Sequence, residues 1–237
     1  MKIALVTGST RGIGGAIAKH LAQQKYTVVV HYNNSADAAA TLLEELKVYA
    51  PESSIMQADL TNHAEVSKLF QEISKKYGKL DVLVNNVGNF GNYHALSDVT
   101  IEEFDDVLDT NLRATFLCIN SSLPLLKASN GGNIINFACT TAEQNMARKY
   151  TAVYYIAKAG VITLTKSWAE ELAADNIRIN VISPGIVENS EIKQDTPMDR
   201  SANYKDITNV VDFLLADKSK YISGANLEVS GAWVPHH

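Results

Sequence analysis

Cysteine and proline are scarce in this chain: two of the first, Cys118 and Cys139, and five of the second in 237 residues. Two thiols cannot build a disulfide framework, which predicts a reducing, cytoplasmic setting. A basic excess is missing too. Twenty-one Lys and Arg stand against 26 Asp and Glu, a formal charge of -5, so neither nucleic acid nor an anionic membrane surface is expected as a partner. Apolar runs fall far short of the ~20 residues that cross a bilayer, and no charged-then-apolar leader is expected ahead of the strand-like run Lys2 to Val6. Internal repeats, low-complexity tracts and Pro/Gly-rich linkers are absent, which predicts one domain over residues 1–237. No metal site is read from the chain, and the terminal His236 and His237 carry no functional signal.

What is present is alternation. Short β-branched runs recur at Ile3 to Val6, Thr27 to Tyr32, Ser54 to Met56, Asp81 to Val84, Asn133 to Phe137, Ile177 to Ile182 and Asn226 to Val229. Helical periods separate most of them. From His63 to Tyr77, for instance, Val66, Leu69, Phe70, Ile73 and Tyr77 form one apolar stripe. Strand-helix alternation needs right-handed crossovers, and the result is a doubly wound α/β fold: a parallel sheet of about seven strands with helices on both faces. Ligands bind such sheets at the carboxyl ends of the strands.

Directly after the first strand run stands Thr7-Gly8-Ser9-Thr10-Arg11-Gly12-Ile13-Gly14, followed by a helical run from Gly15 to Gln24. Glycines at a strand-to-helix turn let backbone approach a pyrophosphate, and the free N–H groups of the new helix offer an anion site. The spacing departs from the common G-x-G-x-x-G fingerprint. It resembles instead the cofactor loop of the short-chain dehydrogenases/reductases. Further blocks appear in that family's order: Asp59-Leu60, Asn85-Asn86-Val87-Gly88, Asn111, Tyr154-x3-Lys158, Pro184-Gly185 and a closing Tyr221-Ile222-Ser223-Gly224. The similarity spans essentially the whole chain.

The resemblance implies a nicotinamide cofactor held by residues 8–14, by Asp59 and Leu60 at the adenine, by Asn85, Asn86 and Gly88, by Tyr154 and Lys158, and by Pro184, Gly185, Ile186, Val187 and Asn189. Asp59 also suits a turn or N-cap. At the end of the second strand, His31-Tyr32-Asn33-Asn34-Ser35 contains no carboxylate to take a ribose 2′-hydroxyl, and Arg11 carries a fork of donors suited to a 2′-phosphate. NADPH is therefore expected, with Tyr32 and Asn33 beside its ribose.

Reducing a ketone by hydride transfer develops negative charge on oxygen, which calls for a proton donor and a tuning cation. Tyr154 and Lys158, four residues apart, project from one helical face. By the resemblance, Tyr154 is the acid in reduction, Lys158 tunes it and holds the nicotinamide ribose, and Asn111 supports a water in the proton relay. A helix cap is the plain alternative for Asn111. Three departures stand out. The family's serine after the fifth strand is missing: counting on from Asn111 puts Cys139, a weak donor, in that slot with Thr140 and Thr141 next, whereas counting back from Tyr154 lands near Thr141, so a threonine hydroxyl could substitute and Cys139 be only a buried apolar residue. Val87 replaces an alanine, which predicts either crowding of the ribose pocket or simple tolerance of the bulkier side chain. Asn189 and Ser190 stand where a threonine is usual, and the covering segment Glu191 to Thr196 is short, which predicts an open site.

The overall resemblance is greatest to bacterial 3-oxoacyl-[acyl-carrier-protein] reductases, so the expected activity is NADPH-dependent reduction of a small-molecule carbonyl. Docking of acyl carrier protein stays open, because Glu170 and Glu171 lie on the catalytic helix and Lys127 alone precedes the fifth strand. A pteridine reductase and a non-catalytic NADPH-binding regulator are the alternatives. The helices from Leu112 to Leu126 and from Thr151 to Ala174 resemble those that pair between family subunits, which predicts a homotetramer.

Overall fold

A computed structural model describes residues 1–144, 146–190 and 196–235. Among them one sheet holds seven strands, β1 (Lys2–Val6), β2 (Tyr26–Tyr32), β3 (Ser54–Gln57), β4 (Val82–Asn85), β5 (Gly132–Phe137), β6 (Ile177–Pro184) and β7 (Asn226–Val229). All pairs are parallel, in the order β3-β2-β1-β4-β5-β6-β7. Successive side chains of β1 serve opposite faces. Ala4 and Val6 join Ile17 and Leu21 of α1 (Gly12–Gln23), Leu42 of α2 (Ala36–Lys47) and Val211 of α7 (Tyr204–Leu215). Ile3 and Leu5 join the other core, with Leu69 and Ile73 of α3 (His63–Tyr77), Leu117 of α5 (Ala114–Ala128) and Leu172 of α6 (Ala152–Leu172). Period two in the strands and 3.6 in the helices thus produce a sheet buried on both sides.

Helix α3 has the bounds its stripe predicts, and Asn62 caps it by accepting from Ala64 and Glu65 N–H groups. Helix α1 begins at Gly12, not Gly15, so the last glycines of the loop are already helical. Helices α5 and α6 likewise shift by one or two residues from the predicted 112–126 and 151–174. Ahead of α5, α4 (Ile101–Leu108) passes into one wide π-type turn, Asp109–Arg113. Strand order reverses between β1 and β4, and their carboxyl ends open the crevice in which doubly wound sheets place ligands.

Candidate active site

The loop after β1 is held from three sides. Gly8 N–H donates to His31 Nδ1 (3.1 Å), Ser9 N–H to the His31 carbonyl (3.1 Å), and Asn86 Nδ2 to the carbonyls of Thr7 and Gly8 (both 3.1 Å). Gly14 is needed for this fit, since a Cβ there would lie 2.5 Å from both Asn86 Nδ2 and the Gly8 carbonyl. Helix α1 starts beside it with no side-chain cap and no acidic residue in its first turn. Its N-terminal N–H groups and the Arg11 side chain suit the phosphates of a dinucleotide. The fit of chain and cofactor rests on this cradle.

Several of the predicted cofactor residues also hold the scaffold together. Ser9 is fully buried and its hydroxyl accepts from His31 N–H (3.1 Å). Leu60 belongs to the core, and Asn85 is buried with its amide on Asn136 Oδ1 (2.9 Å). Asp59 takes the turn role: its carboxylate accepts from Thr61 N–H (2.9 Å) and Thr61 Oγ1 (2.8 Å). Asn33 Oδ1 accepts from Gln57 (3.4 Å). Val87 packs on the core and against Gly8, not into the ribose side of the cleft, because its Cγ2 fills the space a Cβ on Gly8 would need. Tyr32, Asp59 and Leu60, with Gly8, Ser9, Thr10, Gly12 and Gly14, lie outside the walls of the central cleft.

That cleft, of about 790 Å³, gathers Arg11, Ile13, Asn86, Gly88, Asn111, Cys139, Tyr154, Lys158, Pro184, Gly185, Ile186, Val187 and Asn189. Ser190 lines it as well, whereas 191–195 of the predicted short covering segment lie outside the described residues, as do His236 and His237. Tyr154 and Lys158 share the inner face of α6. Lys158 is buried, donates from Nζ to the Phe137 carbonyl at the end of β5 (3.0 Å), and stands 5.6 Å from the Tyr154 ring centre. Burial lowers its pKa to about 8. Burial also drives the Tyr154 hydroxyl well above the ordinary tyrosine value, with Cys139 and Tyr155 adding to the effect. Desolvation, not the ammonium, therefore dominates the phenol, which rests protonated.

Asn111 is not a cap. It sits inside the π-type turn, fully buried, and its Nδ2 donates to the carbonyls of Asn89 (2.7 Å) and Val107 (2.9 Å). Its Oδ1 has no partner among the described residues and faces Gly88, where a Cβ would collide with it and come within 3.2 Å of Lys158 Nζ. A widened turn is what aims this side chain inward, a common use of such bulges. The orphan acceptor beside the lysine matches a water-relay position.

After β5, Cys139 and Thr140 line the cleft and Thr141 does not. Thr140 Oγ1 donates to Glu228 (3.0 Å), and Thr141, at φ +63°, gives its N–H to Glu228 (2.8 Å) while its hydroxyl accepts from Arg148. Cys139 is thus the side chain of the three that lines the cleft without a carboxylate to hold it; burial raises its thiol to about 12. Sequence reasoning missed the outer wall: Phe90, whose ring lies 4.8 Å from Tyr154, together with Tyr93, Arg148, Tyr150 and Trp233. The basic and aromatic run Arg148-Lys149-Tyr150, just before the Tyr/Lys helix, was the available signal.

A glycine-lined helix start facing a tyrosine and lysine across one cleft defines a nicotinamide-dependent oxidoreductase. The chain belongs to the short-chain dehydrogenase/reductase family. A family model described as "Enoyl-(Acyl carrier protein) reductase" matches residues 8–232. Curated relatives include the 3-oxoacyl-[acyl-carrier-protein] reductase FabG of Staphylococcus epidermidis, 38% identical over 97% of this chain and 98% of that protein. A 3-oxoacyl-[acyl-carrier-protein] reductase of a Synechocystis species is 35% identical over 98% and 97%, and the oxidoreductase YgfF of Escherichia coli 30% over 98% and 99%. Among the described residues no helix is long and apolar enough to cross a membrane.

Proposed function

We propose that the protein reduces the carbonyl of a 3-oxoacyl-type small molecule to an alcohol with NADPH. The observation that carries this reading is the meeting of Tyr154, Lys158 and the unpartnered Asn111 Oδ1 beside Gly88, at the carboxyl end of β4. Bound NADPH supplies the hydride. Tyr154, held protonated by burial, gives its proton to the developing alkoxide. Lys158, fixed on the Phe137 carbonyl, supplies positive charge and passes a proton back to the tyrosinate, replaced in turn from a water held on Asn111 Oδ1. Cys139 occupies the place of the carbonyl-orienting hydroxyl. Preference for NADPH over NADH rests on Arg11, which makes no ion pair among the described residues, and on the absence of a carboxylate from residues 31–35.

The reading extends to the whole chain as one domain and to a homotetramer in the cytoplasm. Half-exposed Phe116 on α5 and Ile156 on α6 support pairing of those helices between copies. Both cysteines are free, as a reducing compartment requires. Carrier docking has little support near α5, since Lys127 is already paired with Asp175 (2.8 Å). The test follows NADPH oxidation with a 3-oxoacyl thioester, small diketones and quinonoid dihydropterin, comparing wild type with Tyr154→Phe. Turnover of the thioester, abolished in Tyr154→Phe, is the expected result. Full activity of Tyr154→Phe overturns the mechanism, and turnover of dihydropterin alone overturns the substrate class.

A further inference from the structure

The cleft is cationic in an acidic protein. Among the described residues that line it are Arg11, Arg148, Lys149 and Lys158, and no Asp or Glu, although the chain carries a net charge of -5. Arg11 stands at the glycine loop and Lys158 behind Tyr154, which leaves Arg148 and Lys149 for the outer half. Lys149 is exposed, 4.9 Å over the Tyr150 ring. Arg148 is half-buried and stacks 4.3 Å over Tyr155, next to the Tyr154 at the reaction centre.

Among the described residues Arg148 has no carboxylate counter-ion. It donates to the Pro235 carbonyl (3.3 Å) and to Thr141 Oγ1, both neutral acceptors, and its Nε has no partner among the described residues. Glu228 is bonded to Thr140 and Thr141 instead and forms no ion pair with it. A guanidinium taken partly out of water without a counter-ion is costly unless a ligand supplies the charge. Phe90, Tyr93, Tyr150 and Trp233 wall the space around it, a setting suited to an organic body carrying one anionic head.

We propose that Arg148 is a specificity-determining residue that binds an anionic group, a carboxylate or its equivalent, on the carbonyl substrate. The inference rests on the carbonyl-reductase reading and names the charge class of that substrate: oxo acids are taken in preference to neutral ketones. Forked donors on a rigid stack orient such a head while the carbonyl meets Tyr154.

The experiment uses NADPH with 2-oxo-4-phenylbutanoate and 4-oxo-4-phenylbutanoate, each beside its methyl ester, on wild type, Arg148→Gln and Arg148→Lys. Wild type is expected to favour the acids, and Arg148→Gln to lower kcat/KM for them by about tenfold to a hundredfold, chiefly through KM, with the esters changed little. Arg148→Lys falls between. Equal losses on acid and ester, or a wild-type preference for esters, overturn the proposal, because a purely structural arginine would not distinguish them. A binding arm needs no turnover. On wild type saturated with NADP+, 4-phenylbutanoate should raise Tm and its methyl ester should not; equal shifts overturn the proposal. If no carbonyl compound oxidises NADPH, the activity reading fails by itself and this arm still decides the charge preference.

Discussion

Gly8 donates its backbone N–H to Nδ1 of His31 at 3.1 Å, which fixes the other ring nitrogen, 3.0 Å from the Ala58 carbonyl, as the donor. The glycine loop is therefore hung on a neutral imidazole from the neighbouring strand. Burial lowers the His31 pKa from 6.5 to about 4, against smaller opposing effects of the Ala58 bond and Asp59. A proton on Nδ1 would remove the loop's anchor.

The sign of the resulting pH dependence follows from linkage. The unfolded chain takes up the His31 proton near 6.5 and the folded one only near 4, so stability from this residue is complete above 6.5 and is lost as pH falls toward 4. Between pH 7.5 and 5 the wild type should lose about 2 kcal/mol more than His31→Gln, whose amide can accept from Gly8 without titrating. Denaturant unfolding at both pH values measures this. Parallel losses in the two proteins would remove His31 as the cause.

Gly88 is the second site where backbone shape sets chemistry. A methyl there meets Asn111 Oδ1 and lies 3.1 Å from Asn111 Cγ and 3.2 Å from Lys158 Nζ. Gly88→Ala should cost about 1 to 3 kcal/mol in stability and about a hundredfold in kcat through displaced Asn111 and Lys158. Steady-state kinetics with a melting curve separate the two effects. Unchanged kcat would show that the relay does not depend on this approach.

Much of this fold was legible in the chain because local and long-range demands agree. The β1 alternation of Ile3 and Leu5 with Ala4 and Val6 serves two cores at once, and the α3 stripe buries Val66, Leu69, Phe70 and Ile73. The Tyr154 and Lys158 pair was legible from helical spacing taken together with its place between the fifth and sixth strands and the family resemblance. Other roles depend on what a side chain meets across the fold. Nothing local distinguishes Ser9 bonded to His31 from Ser9 bonded to a phosphate, or a capping Asn111 from one turned inward by a π-type turn. Arg148 and Trp233 lie far apart in the chain, and only folding places both on one wall.

Lys158 gives an alkaline signature. Its pKa of about 8 means that the ammonium needed beside the phenol is lost as pH rises through that value. With NADPH as the varied substrate, kcat/KM reports the free protein, and it should fall above pH 8. Lys158→Met should flatten that limb and lower activity by about a hundredfold or more. A plateau extending to pH 10 in the wild type would refute the assignment.

Cys139 offers the sharpest test of the altered catalytic position. Burial raises its thiol to about 12, so at neutral pH it is a protonated, weakly donating group and a poor nucleophile. Alkylation by iodoacetamide at pH 7.5 should be slow under native conditions and rapid after denaturation, as mass spectrometry of the two thiols will read. In the proposed mechanism the residue takes the place of the hydroxyl that would orient the carbonyl oxygen. Cys139→Ser should therefore raise kcat by about fivefold, the worth of one improved hydrogen bond of ~1 kcal/mol. Cys139→Ala should lower it by removing the donor altogether. If serine and alanine act alike, the thiol fills space near Tyr154 and takes no part in polarising the carbonyl.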